Sequence, residues 1–257
     1  MADQLKAARL KLDRAEEHLR SFDRESADWL EQTKFCRFAM KEDGDKGIIS
    51  VDITAVPPAR LSAILGDCLQ NLRASLDYLC CELVIANNQT PGRWTGFPIY
   101  RSWDYVKRPQ FHPNCVTGID SEAIALMERL QPYYGGKNPD ISPLWFLHEL
   151  SNTDKHRTIT IIVGQVLIEK FRLAAGSTAL NPLWLEAEVL HDGEECATFR
   201  LRDVEAGQTV HVEAETLGFI TLGPALPWGA FPVSRHVEHA LDIARNVVFP
   251  MFEPFFA

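Results

Sequence analysis

The sequence contains no apolar run close to the ~18 residues needed to span a bilayer. The first residues, MADQLKAARLKLDRAEEH, form a charged amphipathic pattern without the apolar stretch of a signal peptide, so a cytoplasmic protein with no membrane partner is expected. Cysteine is sparse: Cys36, Cys68, Cys80, Cys81, Cys115 and Cys196 show no Cys-x-x-Cys spacing, which speaks against a disulfide scaffold and for reduced thiols. Nucleotide-loop signatures are missing as well. Gly135-Gly136-Lys137 lacks the preceding glycine of a phosphate-binding loop, and no Gly-x-Ser-x-Gly elbow is present. His148 and His156 do not fit the His-Glu-x-x-His zinc pattern, and His236 and His239 have no evident third ligand, so neither a metal nor a cofactor is expected.

What is present is ordinary globular composition: 257 residues, 46% hydrophobic and 24% charged, enough to bury a full core. There are 26 basic and 35 acidic side chains, a net charge of −9, which argues against a basic nucleic-acid wrapper. The acid surplus concentrates in 183–215, where only Arg200 and Arg202 offset it, while the first 120 residues are nearly balanced. A local nucleic-acid site in that first part therefore stays open.

Apolar residues recur at helical spacing over 3–32, with a break near Ser21, and over 60–87, 121–131, 142–152 and 234–250. Strands are expected at 34–41 and 47–55 around Glu42–Gly47, then at 158–163, 183–190, 196–202 and 209–222. The acids Glu186, Glu188, Glu213 and Glu215 alternate as one solvated face of a sheet would. The apolar tail from Phe249 should dock on the core or at a subunit interface. The expected fold is α+β: a bundle of about four main helices with an N-terminal β-hairpin and a C-terminal antiparallel sheet. It reads as one domain, the helical part being 1–157 plus 234–257 and the sheet an insertion at 158–223.

Three stretches could carry chemistry. On helix 60–87 the leucines occupy one arc, and Asp67, Asn71, Tyr78, Gln70, Asp77 and Arg73 spread over the other. Arg73 and Asp77 form an i,i+4 pair, so this side is either a polar cleft or a solvated face with one ion pair. The segment 147–157 gathers His148, Asn152, Asp154, Lys155, His156 and Arg157 where a helix gives way to a strand. An arginine beside a histidine suits phosphate chemistry, one holding oxygens and the other moving a proton; the alternative is a polar connection with backbone caps. The stretch 93–111 interleaves Arg93, Arg101, Lys107 and Arg108 with Trp94, Phe97, Tyr100, Trp103, Tyr105 and Phe111. Cations among stacking rings suit a single-stranded nucleic acid, and aromatics in a long segment also serve to cover a core.

Asp67-Cys-Leu-Gln-Asn-Leu-Arg-Ala-Ser-Leu-Asp-Tyr-Leu79, Phe97-Pro-Ile99, Gln131-Pro-Tyr133 and Leu144–Arg157 together resemble an uncharacterised family of bacterial and phage proteins. The helix of that family is in turn similar to the Arg-x(4–6)-His motif of the HEPN superfamily, helical bundles found in toxin and defence ribonucleases. The resemblance implies that Arg73 matches the motif arginine and that Tyr78 stands at the histidine position. A phenol is a poor general base at neutral pH, so cleavage would draw on His148 or His156.

The expected function is an RNA-binding or RNA-cleaving protein of HEPN-like type, in phage defence or a toxin system, with RNA or a nucleotide as partner and a homodimer as the candidate assembly. Arg73, Tyr78, His148, His156 and Arg157 are the candidate catalytic residues. Asp67, Asn71, Asp77, Asn152, Asp154, Lys155, Arg93, Trp94, Arg101 and Trp103 are the candidate binding residues. The alternatives are a non-enzymatic ligand-binding or interaction protein and an enzyme acting on a small molecule in the same cleft.

Overall fold

The computed structural model describes residues 4–102, 113–134, 138–176, 178–185, 189–223, 228 and 231–256. The chain divides into two compact units, each discontinuous in sequence: a helical unit of Met1–Arg24, Ala59–Ile159 and Ser234–Ala257, and a sheet unit of Glu25–Pro58 and Thr160–Val233.

The helical unit is built around α2 (Ala59–Ala86). Leu61, Leu65, Leu69, Leu72, Leu76, Leu79 and Leu83 are all buried, as the sequence arc requires. Pro57-Pro58 precedes the helix, and a Schellman turn closes it. Asn88 takes φ 55°, its N–H bonds to Ile85 O, and Gln89 N–H bonds to Val84 O. The first helix, α1 (Lys6–Gln32), runs unbroken through Ser21; Leu5 just before it and Ala8, Leu12, Ala15, Leu19 and Phe22 within it are buried. Their spacing alternates three and four residues, the seam of closely packed helices. The buried Cys68 thiol of α2 donates to Ala15 O of α1 at 3.1 Å. Next come α3 (Ser121–Arg129), capped by Asp120, and α4 (Pro143–His156), which begins on Pro143. The last helix, α5 (Val233–Ile243), passes into a π turn at Ala244–Val248 and a short α turn at Phe249–Phe252. Pro250, which has no N–H, sits in that final turn, so a regular α ladder cannot continue there. Phe249 and Phe252 are buried, which places the apolar tail on this unit's own core.

The sheet unit holds two antiparallel sheets. The first has the order β1 (Cys36–Asp43), β2 (Lys46–Ile53), β7 (Glu195–Arg200), β5 (Trp184–Leu185). In the second, β3 (Ile161–Ala175) carries β8 (Val210–Leu222) along one edge and β4 (Thr178–Leu180) and β6 (Val189–Leu190) along the other. Gly44 takes φ +61° in the two-residue turn between β1 and β2.

Two sequence expectations are corrected here. The N-terminal hairpin is not a separate element, because β2 pairs with β7 from residue 46 to 50. The strand expected at 158–163 starts at Ile161 and continues to Ala175. Bulges between Val163 and Gln165 and between Ile168 and Lys170 shift its alternation twice, which breaks the period-two pattern in the sequence. Glu213 and Glu215 do lie on an exposed face, opposite Arg172 and Lys170. Glu186 and Glu188 lie outside the described residues.

Burying one leucine is worth about 1.5–3 kcal/mol, so the α2 arc dominates the helical unit. Leu72→Ala should lower stability by about 2–5 kcal/mol in urea unfolding, whereas the exposed Ile85→Ala should change it by under about 1 kcal/mol.

Candidate functional site

The polar side of α2 is divided by its neighbours. Its Gln70–Arg73–Asp77 flank is covered by α4 and by the 96–100 segment, while Asp67, Asn71 and Tyr78 form an outer strip.

On the covered flank, Arg73 and Asp77 make a closed set of bonds with the backbone of Phe97. Arg73 Nη2 lies 3.0 Å from Asp77 Oδ1, and Arg73 Nε donates to Asp77 Oδ2 at 3.3 Å. The same Nη2 donates to Phe97 O at 2.6 Å, and Asp77 Oδ1 accepts Phe97 N–H at 2.9 Å. Gly96 makes this approach possible, since a Cβ there would stand 3.0 Å from Asp77 Oδ1. The ion pair anticipated from i,i+4 spacing therefore exists and also clasps a separate chain segment. The Arg73 Nη1 atom is buried and has no hydrogen-bond partner among the described residues. A guanidinium N–H left in that condition carries an uncompensated desolvation cost.

The α4 side supplies His148, stacked on Trp145 with ring centroids 5.1 Å apart. Burial, then the positive charges of Arg73 and Lys155, lower its pKa to about 4. The ring is thus neutral at pH 7, and its Nε2 lies 3.0 Å from Asn152 Nδ2, which donates to the ring lone pair. One turn further, Gln70 Nε2 donates to Ser151 O at 2.8 Å and to Asp154 Oδ2 at 3.1 Å. Gly66 leaves room for one of these partners: a Cβ on it would overlap the Asp154 carboxylate where it now lies.

The other candidates are not gathered into this cluster. Asn71 faces α1, accepting from Lys11 Nζ at 3.2 Å, and its amide donates to Asp67 O at 2.8 Å. Tyr78 is 42% exposed and Asp67 is exposed. Among the described residues no hydrogen bond joins Asn71 or Tyr78 to His148, and α4 covers the adjoining flank of the helix. His156 and Arg157 are exposed at the end of α4, and Lys155 Nζ lies 3.5 Å from Asn152 Oδ1.

In the aromatic stretch, the Arg93 guanidinium lies 5.0 Å over the ring of Trp94, which is 53% exposed. Arg101 grips Asp140 in a two-point ion pair, with both contacts at 2.7 Å. Phe97 and Ile99 are buried, so part of this stretch does cover the core. The buried Gln131 pins it to α3, accepting Tyr100 N–H and donating to Pro98 O and Met127 O, all at 2.9 Å. Trp103, Tyr105, Lys107, Arg108 and Phe111 lie outside the described residues.

Sequence reasoning missed Gly66, Trp145 and the clasping role of Phe97. Trp145 stands three residues before His148, a spacing that sets two side chains on one helix face. Among the described residues no group of three or more His, Cys, Asp or Glu side chains could hold a metal ion. No protein family, curated protein or solved structure matches the chain.

The lowered His148 pKa carries a sign. The folded state resists protonating this ring, so stability is present in full above the ordinary histidine value and falls as the pH drops from about 6.5 toward 4. Thermal melts at pH 7 and 4.5 should show a smaller acid-dependent loss for His148→Gln than for the parent. Gly66→Ala should destabilise the helical unit, although alanine in a free helix is favoured by about 1 kcal/mol.

Proposed function

We propose that the protein binds single-stranded RNA on a HEPN-like helical unit, and that it holds the strand without cutting it through His148. The observation that carries this reading is the exposed ring of Trp94 with the Arg93 guanidinium 5.0 Å over it, a cation beside a surface on which a base stacks. Arg93 would hold a phosphate oxygen of the strand beside that ring. Exposed rings at Trp94 and Tyr78, the former beneath Arg93, supply surfaces on which bases stack.

Cleavage through His148 is disfavoured by two features. A base whose pKa is lowered to about 4 takes up a proton weakly at neutral pH, and its Nε2 already faces Asn152. Tyr78 offers a phenol where the HEPN motif has an imidazole.

The test is fluorescence polarisation with a fluorescein-labelled single-stranded RNA at low salt. The parent should bind, and Trp94→Ala should weaken binding by about tenfold. Arg93→Gln should weaken it and reduce the slope of log affinity against log salt by about 1. The labelled RNA should stay intact after prolonged incubation in EDTA. No binding at low salt, or Arg93→Gln binding like the parent with its fold intact, overturns the reading.

A further inference from the structure

Each sheet of the sheet unit has an edge strand bordering the same cleft. Among the described residues, β1 pairs with β2 alone and β8 with β3 alone. Between them lies a cleft of about 610 Å³, lined by Phe38 and Met40 of β1 and by Val210, Val212 and Ala214 of β8.

The two sheets are joined at one end of β1 and open at the other. Cys36 Sγ lies 3.8 Å from Thr216 Oγ1, and the ring of Phe38 meets Phe171 edge-on at 5.9 Å. Met40, further toward the hairpin turn, is 47% exposed. The apolar side chains of β8 at 210, 212 and 214 are likewise only half-buried.

The ladder fixes which backbone groups face this opening. Thr54 N–H bonds to Phe35 O, and bonded and non-bonded pairs alternate along an antiparallel ladder. Arg37–Asp52, Ala39–Ser50 and Lys41–Ile48 are therefore the bonded pairs of the register. The N–H and C=O groups of Cys36, Phe38 and Met40 point to the free edge. Ile53, opposite Cys36, fits this alternation, since its N–H turns away from β1 to Asp192 Oδ1 at 2.7 Å.

We propose that an acidic, extended peptide segment of a partner protein docks here as an additional strand on the β1 edge. The free N–H and C=O groups of residues 36, 38 and 40 would hold its backbone. Its alternate apolar side chains would enter the cleft against Val210, Val212 and Ala214, covering Met40. Charge selects an acidic segment. Arg37 is paired with Asp52 and Glu213 with Arg172, whereas Lys34 at the cleft has no carboxylate partner among the described residues. A row of unpaired backbone groups favours a peptide over a compact small molecule, because it repeats the spacing of a strand.

The test uses the full chain and two fluorescein-labelled hexapeptides, one alternating Val with Glu and one alternating Val with Lys. The Glu peptide should bind saturably and about tenfold more tightly than the Lys peptide. Met40→Pro removes an edge-facing N–H but no β1–β2 bond, so it should weaken the Glu peptide about fivefold with an unchanged circular-dichroism melt. Lys34→Glu should reverse the preference between the peptides, and it decides the matter if Met40→Pro does not fold. Absence of Glu-peptide binding, equal affinity for the two peptides, or a preference unmoved by Lys34→Glu overturns the proposal. So does a dimer in sedimentation that Met40→Pro converts to monomer, since the edge would then belong to a second copy. RNA binding on the helical unit is read separately, so failure of either reading leaves the other standing.

Discussion

Helix α2 is encased on most of its circumference, and the helical unit follows from that constraint. Its leucine arc leaves only a narrow polar margin, and each polar side chain on the margin must find a partner or reach water. Arg73, Asp77 and Gln70 do so by capturing backbone from elsewhere: Phe97 O, Phe97 N–H and Ser151 O. The irregular 96–100 segment is thereby ordered against a helix by a few charge-assisted bonds. Gln131 secures the same segment from α3. Removing one member would leave others buried without partners, so the group acts as a network.

The same margin accounts for the local electrostatics. Arg73 is partly neutralised by Asp77, but one of its nitrogens lacks a hydrogen-bond partner among the described residues, and burial together with its charge depresses the pKa of a histidine on the neighbouring helix. A buried cation beside an imidazole that resists protonation is a polarised, preorganised environment. An imidazole so placed is poorly suited to cycling a proton at neutral pH.

Helix positions and hairpin signals were legible because they depend on short-range patterns: the leucine period of α2, the turn at Gly44 and the alternating acids at 213 and 215. The pairing of β2 with β7 was not, since it joins segments about 150 residues apart and no local pattern specifies it. The full length of β3 was hidden by its two bulges. The candidate site was legible in part. The helical wheel placed Gln70, Arg73 and Asp77 beside Asp67, Asn71 and Tyr78, but only tertiary packing decides which flank a second helix covers. The room that Gly66 leaves for the Asp154 carboxylate likewise appears only once its neighbour is known.

The discontinuity of the two units bears on how the chain reaches this state. The helical unit draws on three separated stretches, and Arg245 of its last stretch bridges Asp13 and Glu16 of its first. The sheet unit cannot complete its first sheet until β7 is available to β2. On a ribosome, α1 and α2 would emerge long before the residues that finish covering them. Such far-apart pairings slow folding and leave apolar faces exposed meanwhile. The order of its segments, and not the stability of the finished fold, therefore sets how long those apolar faces wait for cover.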